Sequence, residues 1–245
     1  MFSMLSALTL CLALSLVNAS TLDRRARASV YSQCTVAKTV ALTFDDGPYL
    51  YTIDIVNALN AAGAKGTFFV NRCIYDTAGV TNVKYAYDHG HQIASHTWAH
   101  KDLTTLSWDN IHDEMWRVEQ ALVRITGAYP AFMRPPFGNY NDLVLDASGV
   151  RGQSVVIWDF DSQDSLGATV ATSKSLYASR ISAKPNTILA LNHETIETTA
   201  HQVLPYAIQT LQAAGYKLVT LAECLGKAPY QSVVAPSTRD SSWVC

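Results

Sequence analysis

The chain is 245 residues long, 49% hydrophobic and 16% charged, which suits one sizeable globular domain with a real core. Its formal net charge is −2 with no block of like charge, so no basic field is available to hold nucleic acid. Internal repeats and low-complexity tracts are absent from it.

The amino terminus differs from the rest. Residues 1–20 carry no charged side chain, and the apolar run 5–17 ends in Val17-Asn18-Ala19. That run is too short to span a bilayer comfortably and reads as a secretory signal peptide, residues 1–19, cut after Ala19; an uncleaved anchor is the competing reading. Residues 20–33 follow as a short N-terminal segment with Arg24-Arg25, either a pro-segment or a frayed end, and residues 34–245 as the folded domain. Cys11 leaves with the leader. Cys34, Cys73, Cys224 and Cys245 remain, an even count that predicts two disulfides in a secreted chain, with three possible connectivities. Cys34 precedes the first predicted strand and Cys224 follows the last, so a bridge tying the two ends is one of them.

Seven β-rich runs are predicted strands: residues 39–44, 66–70, 91–95, 131–134, 154–158, 187–192 and 217–220. Amphipathic segments lie between them. Residues 52–62 carry Ile53, Val56 and Leu59 at helical spacing and stop at Gly63. Ser107 is an N-cap candidate for a helix reaching about residue 125, with Ile111, Met115, Val118 and Leu122 on one face. Residues 204–214 close with Gly215. Strand and helix alternating in this way mean a parallel sheet, either closed as a barrel or open and doubly wound. Periodicity does not choose between them. In both cases function belongs at the carboxyl ends of the strands.

Those ends carry the chemistry. Asp45 and Asp46 follow the first strand in TFDDGP, although neighbouring carboxylates repel and strands disfavour Asp. His96 and His100 follow the third, Arg134 ends the fourth, Asp161 and Asp164 follow the fifth, and His193 follows the sixth. Two imidazoles and one carboxylate make a three-ligand site with room for water, the pattern of a catalytic zinc. The alternative for the histidines is a structural pair, and for Asp-Asp-Gly-Pro an ordinary Asx turn. Successive side chains diverge, so one Asp can bind a metal while its neighbour takes a proton from the metal's water. His193 can protonate a leaving group, with Asp161 or Asp164 holding its imidazole charged. Arg134 can orient a catalytic Asp or form a rim ion pair. The loop after it can aim a backbone N–H at an oxyanion. No G-x-S-x-G occurs, which argues against a serine hydrolase of the α/β type.

In this order TFDDGP (43–48), HTWAH (96–100), RPPFG (134–138), DSQD (161–164) and LNH (191–193) resemble the five motifs of the polysaccharide deacetylases of carbohydrate esterase family 4, the NodB-homology domain. The likeness runs from about residue 40 to 221, and with the ECLG ending it is most similar to fungal chitin deacetylases. It implies an α/β fold, a distorted (β/α) barrel of about seven parallel strands, with residues 34–245 as a single catalytic domain. It further implies a metal-dependent deacetylase with one Zn2+, or Co2+, per chain. By motif, Asp45 corresponds to the general base and also touches substrate, and Asp46, His96 and His100 correspond to the metal ligands. Arg134 corresponds to the brace of the base, the Phe137 backbone N–H to the oxyanion donor, His193 to the general acid, and Asp161 and Asp164 to its support. The family commonly carries Trp where this chain has Ser165, and Phe160 or Leu166 are candidates to fill that space. Trp98, Phe137 and Tyr140 are candidate stacking surfaces for sugar rings, and Tyr49 and Tyr51 for the entrance, while Trp116 reads as a packed helix aromatic.

The expected protein is thus a secreted monomer that removes N-acetyl groups from N-acetylglucosamine units of chitin or chitooligosaccharides, with no nucleic acid partner and no membrane once the leader is gone. An acetylxylan O-esterase or a peptidoglycan deacetylase would use the same apparatus. A catalytically inactive chitin-binding protein is the alternative of another class. Glycoside hydrolysis offers no role for the two histidines.

Overall fold

The computed structural model describes residues 27–245; the leader, its cleavage site and Arg24-Arg25 lie outside the described residues. In chain order the strands are β1 (Val30–Tyr31), β2 (Thr39–Gly47), β3 (Thr67–Val70), β4 (Gln92–Ser95), β5 (Ala128–Pro130), β6 (Phe132–Met133), β7 (Ser154–Val156), β8 (Phe160–Asp161), β9 (Ile188–His193), β10 (Lys217–Val219) and β11 (Tyr230–Val233). The helices are α1 (Thr52–Ala61), α2 (Thr77–Asp88), α3 (Trp108–Thr126), α4 (Asp142–Val150), α5 (Val170–Ser182), α6 (Leu204–Ala213) and α7 (Leu221–Leu225).

Among the described residues nine strands form one parallel sheet, in the order β1-β7-β6-β4-β3-β2-β9-β8, with β10 paired to the first residues of β2. The ends β1 and β8 do not meet, so the sheet is an open, curled half-barrel ringed by helices. All seven predicted strands are present within it. Its centre is β2, where Val40, Ala41, Leu42 and Phe44 are fully buried, as a strand covered on both faces requires. Antiparallel β5 and β11 form a separate ribbon.

Local chemistry explains the helix ends. The Ser107 side chain accepts from Asn110 N at 3.4 Å, and α3 stops where Gly127 takes a φ of 79°. Ile111, Met115, Val118 and Leu122 are buried as the spacing predicts. In α1 the core face is Ile55, Val56 and Leu59; Ile53 sits one position off that stripe and is only partly buried. Trp116, expected to be packed, is 49% exposed, because it lies on the outer face of α3.

The segment 20–33 was expected to stand apart from the domain. Its described part joins it: Val30 and Tyr31 pair with Val155 and Val156, and Arg27 bridges Asp142 and Asp146. Disulfides link Cys34 to Cys224 and Cys73 to Cys245, closing 190 and 172 residues of chain. The first ties the two ends of the sheet region together. No helix among the described residues is long and apolar enough to cross a membrane.

Candidate active site

Because the strands of the sheet run parallel, their carboxyl ends share one rim, and that rim brings together residues from β2, β4, β6, β8 and β9. The doublet at the end of β2 is split by the backbone. Pairing with β3 shifts register between Asp45 and Gly47, and Asp46 adopts a φ of 70°. A bulge with a left-handed residue aims neighbouring side chains apart. Asp45 turns inward and is 3% exposed, whereas Asp46 is half-buried and lines the cleft.

Asp45 meets Arg134. The fully buried guanidinium donates from Nη1 to Asp45 Oδ1 at 2.7 Å and to Thr43 Oγ1 at 2.7 Å, and from Nη2 to Ile157 O at 3.1 Å. It also stacks on Phe69, 4.2 Å from the ring centroid. Burial pulls the arginine pKa down, with the Asp45 charge opposing. Such a pair holds the carboxylate in one orientation.

Asp46 meets the two histidines. Its Oδ1 lies 3.4 Å from His100 Nε2 and 3.7 Å from His96 Nε2, and one ligand atom from each of the three residues falls within 4.8 Å of the others. His96 Nδ1 donates to Arg134 O at 2.7 Å, which leaves Nε2 as the lone-pair nitrogen facing Asp46. Burial lowers the His96 pKa and keeps the ring neutral, the state a ligand needs. Asn71 Nδ2 donates to Asp46 Oδ1 at 2.8 Å. This donor set of one carboxylate and two neutral imidazoles, open on one side, fits a divalent cation of the zinc type. The loop that delivers it is strained: Thr97 and His100 have φ of 68° and 52°.

Across the cleft stands His193. Asp164 Oδ1 accepts from its Nδ1 at 2.8 Å, and Asp164 Oδ2 accepts from the His193 backbone N–H and from Thr199 Oγ1, each at 2.8 Å. Burial opposes a charged ring here, but the Asp164 hydrogen bond and the charges of Asp45, Asp164 and Asp46 outweigh it and raise the His193 pKa. The same hydrogen bonds, against burial, lower that of Asp164. Of the two candidate supports only Asp164 touches His193. Asp161 lines the cleft with its Oδ1 accepting from Gln163 N at 2.7 Å.

The cleft holds about 410 Å³, walled by Phe137, Trp158, Leu166 and Leu191 besides the polar groups. Phe137 is in a left-handed turn (φ 61°), the residue 64% exposed and its ring 4.8 Å from that of His100. At the Ser165 position Leu166 projects into the cleft, whereas Phe160 is buried against Tyr177 and fills no gap there. Two stacking candidates are corrected. Trp98 turns into the core after the left-handed Thr97, where it packs on Tyr75 and beneath the Arg117 guanidinium. Tyr140 is exposed but outside the cleft lining, beyond the point where Asn139 Nδ2 bonds Asp102 Oδ2 at 2.8 Å. Tyr49 and Tyr51 pack on each other at 5.6 Å and do not line the cleft. Sequence reasoning missed Asn71, Trp158 and Glu194. Each stands at or just past a strand end on the same rim, and that position is the signal that could have found them.

A family model described as polysaccharide deacetylase matches residues 32–155. A chitin deacetylase from Pestalotiopsis sp is 36% identical over 210 residues, 82% of this chain and 68% of that protein. A probable peptidoglycan-N-acetylglucosamine deacetylase from Arthroderma benhamiae is 38% identical over 205 residues, 80% of this chain but only 46% of that protein, so this chain spans less than half of it. The solved structure of the chitin deacetylase from Colletotrichum lindemuthianum superposes with a TM-score of 0.79 at 30% identity, covering 83% of this chain and 94% of that one.

Proposed function

The chain belongs to the polysaccharide deacetylase family, and on that premise we propose that it hydrolyses the acetamide of N-acetylglucosamine units in chitin or chitooligosaccharides, releasing acetate and leaving a free amine. The observation that carries this reading is the grouping of Asp46, His96 and His100 beside the Arg134-held Asp45, facing His193.

A divalent cation held by Asp46, His96 and His100 would polarise the acetyl carbonyl and bring the pKa of a bound water down towards ~7. Asp45 takes a proton from the attacking water as its oxygen bonds to the carbonyl carbon. Arg134 keeps Asp45 aimed for that transfer. The Phe137 backbone N–H donates to the oxyanion that develops. His193, kept protonated by Asp164, gives its proton to the nitrogen as the C–N bond breaks. Asp161 shapes the floor on which the sugar lies, with Phe137 and Trp158 as the apolar walls.

Two disulfides suit an oxidising compartment. Residues 1–19 serve as the secretion leader, and the catalytic domain begins ahead of β1 and acts as a monomer outside the cell. The test is zinc-loaded protein incubated in parallel with chitooligosaccharides, acetylated xylan and peptidoglycan, with mass spectrometry reading each acetyl lost. Acetyl loss confined to xylan or peptidoglycan would overturn the chitin assignment, and none on any substrate would overturn the activity.

A further inference from the structure

Glu194 follows the proton-donor histidine, yet its carboxyl lies on the other side of the rim and is fully buried. It sits where a side chain of residue 47 would be: a Cβ on Gly47 would fall inside the Glu194 carboxyl group. Its backbone N–H donates to Asp45 O at 3.1 Å. Its Oε2 contacts Thr52 Oγ1 at the start of α1. That hydroxyl already accepts from Tyr49 N at 2.8 Å and donates to Tyr49 O at 2.9 Å. The Glu194 side chain therefore packs on Gly47 and holds the turn to α1, while its backbone N–H holds Asp45.

We propose that Glu194 is a positioning residue that locks the turn carrying Asp45 and Asp46 into the geometry the reaction needs. The Thr52 hydroxyl can donate to Glu194 Oε2, because Tyr49 O also accepts from the Thr52 backbone N–H at 3.2 Å. Glu194 Oε1 is buried with no partner, tolerable for the carbonyl oxygen of a neutral acid and very costly for a carboxylate. Burial, seconded by the charges of Asp45 and Asp46 against the Thr52 hydrogen bond, moves its pKa up to about 8. A third anion beside Asp45 and Asp46 is thereby avoided. Gly47 is required because any larger residue would evict this acid.

The inference rests on the roles given above to Asp45 and Asp46. Its test compares E194Q and E194A with wild type, reading zinc affinity by chelator competition, kcat and KM on soluble chitooligosaccharides, and thermal unfolding. A Gln amide oxygen can accept from Thr52 Oγ1 as the carboxyl oxygen does, so E194Q keeps zinc affinity and kcat near wild type. E194A leaves the turn unbraced and weakens zinc affinity and kcat about 10–100-fold with KM little changed, as loss of an orienting partner does. Should E194A not fold, Thr52→Val against Thr52→Ser reads the same brace from its other end, with only the Val variant losing zinc affinity. Wild-type zinc affinity in E194A or T52V overturns the inference, and so does an E194Q as impaired as E194A. A wild type that binds no zinc refutes the underlying site assignment, and the inference with it.

Discussion

Replacing Asp164 with Asn keeps shape and removes charge, and its consequences can be worked from the geometry. The carboxylate collects four donors: His193 Nδ1 and Ser165 N on Oδ1, and His193 N and Thr199 Oγ1 on Oδ2. An amide has only one oxygen, so its NH2 must face two of those donors. Two hydrogen bonds to a charged acceptor are worth about 1.5–3 kcal/mol each, and the Thr199 hydroxyl can turn to recover part of one, leaving a net loss of about 2–4 kcal/mol. For a domain of this size that lowers Tm by about 5–15 °C. The linkage has two signs. His193 has a raised pKa, so its contribution is fully present below the ordinary value of 6.5 and is lost as pH rises through the folded value. Asp164 has a lowered pKa, so its contribution is present above the ordinary value of 3.8 and is lost as pH falls through the folded one. D164N should therefore destabilise most in the window between them. It should also lower kcat about 10²–10⁴-fold and move the alkaline limb of the kcat profile to lower pH, since His193 now loses its proton sooner. Urea titrations and kcat measured across pH check this. An alkaline limb that stays in place would show that His193 is not the proton donor, and a stability loss below about 1 kcal/mol would refute the hydrogen-bond count.

Asp45→Asn should bind zinc within about tenfold of wild type while kcat falls at least ~10²-fold, because the carboxylate that takes the proton is gone and the ligands are not; calorimetry with zinc beside acetate release separates the two, and surviving turnover would reverse the division of labour between Asp45 and Asp46. Stripping metal with a chelator should abolish acetate release, and adding zinc or cobalt should restore it; full activity in the stripped protein would contradict the Asp46–His96–His100 site. Paired Cys34→Ser and Cys224→Ser substitutions open a bridge spanning 190 residues. Loop-closure entropy then predicts a stability loss of about 5 kcal/mol at most, read by denaturant titration, with acetate release from the native protein preserved.

Much of the site was legible because each motif is a strand end, and strand ends are written locally. An apolar β run that breaks into Asp-Gly-Pro, or into His followed by a polar loop, marks both the element and its functional edge. Asp45, Asp46, His96, His100, Arg134 and His193 could all be named in this way. Alternation of strand and helix also implied that those edges point one way. Legibility stopped where a side chain's direction depends on a distant neighbour. Trp98 lies inside a motif, but a left-handed Thr97 sends it to the core. Asp161 and Asp164 are equivalent by spacing, and only the approach of β9 selects Asp164 for His193.

Taken alone, then, the order of residues determined the parallel α/β architecture, the rim on which chemistry sits and the ligand types gathered there, since propensity, turn chemistry and side-chain donor sets are properties of short segments. The tertiary structure alone decided that the sheet stays open, that a bulge splits Asp45 from Asp46, and that buried Arg134 holds the one while two histidines face the other. Those outcomes depend on pairing between residues distant in the chain, as where β9 is laid against β2 at His193 and Asp45; no local pattern encodes a contact made only once the chain has packed.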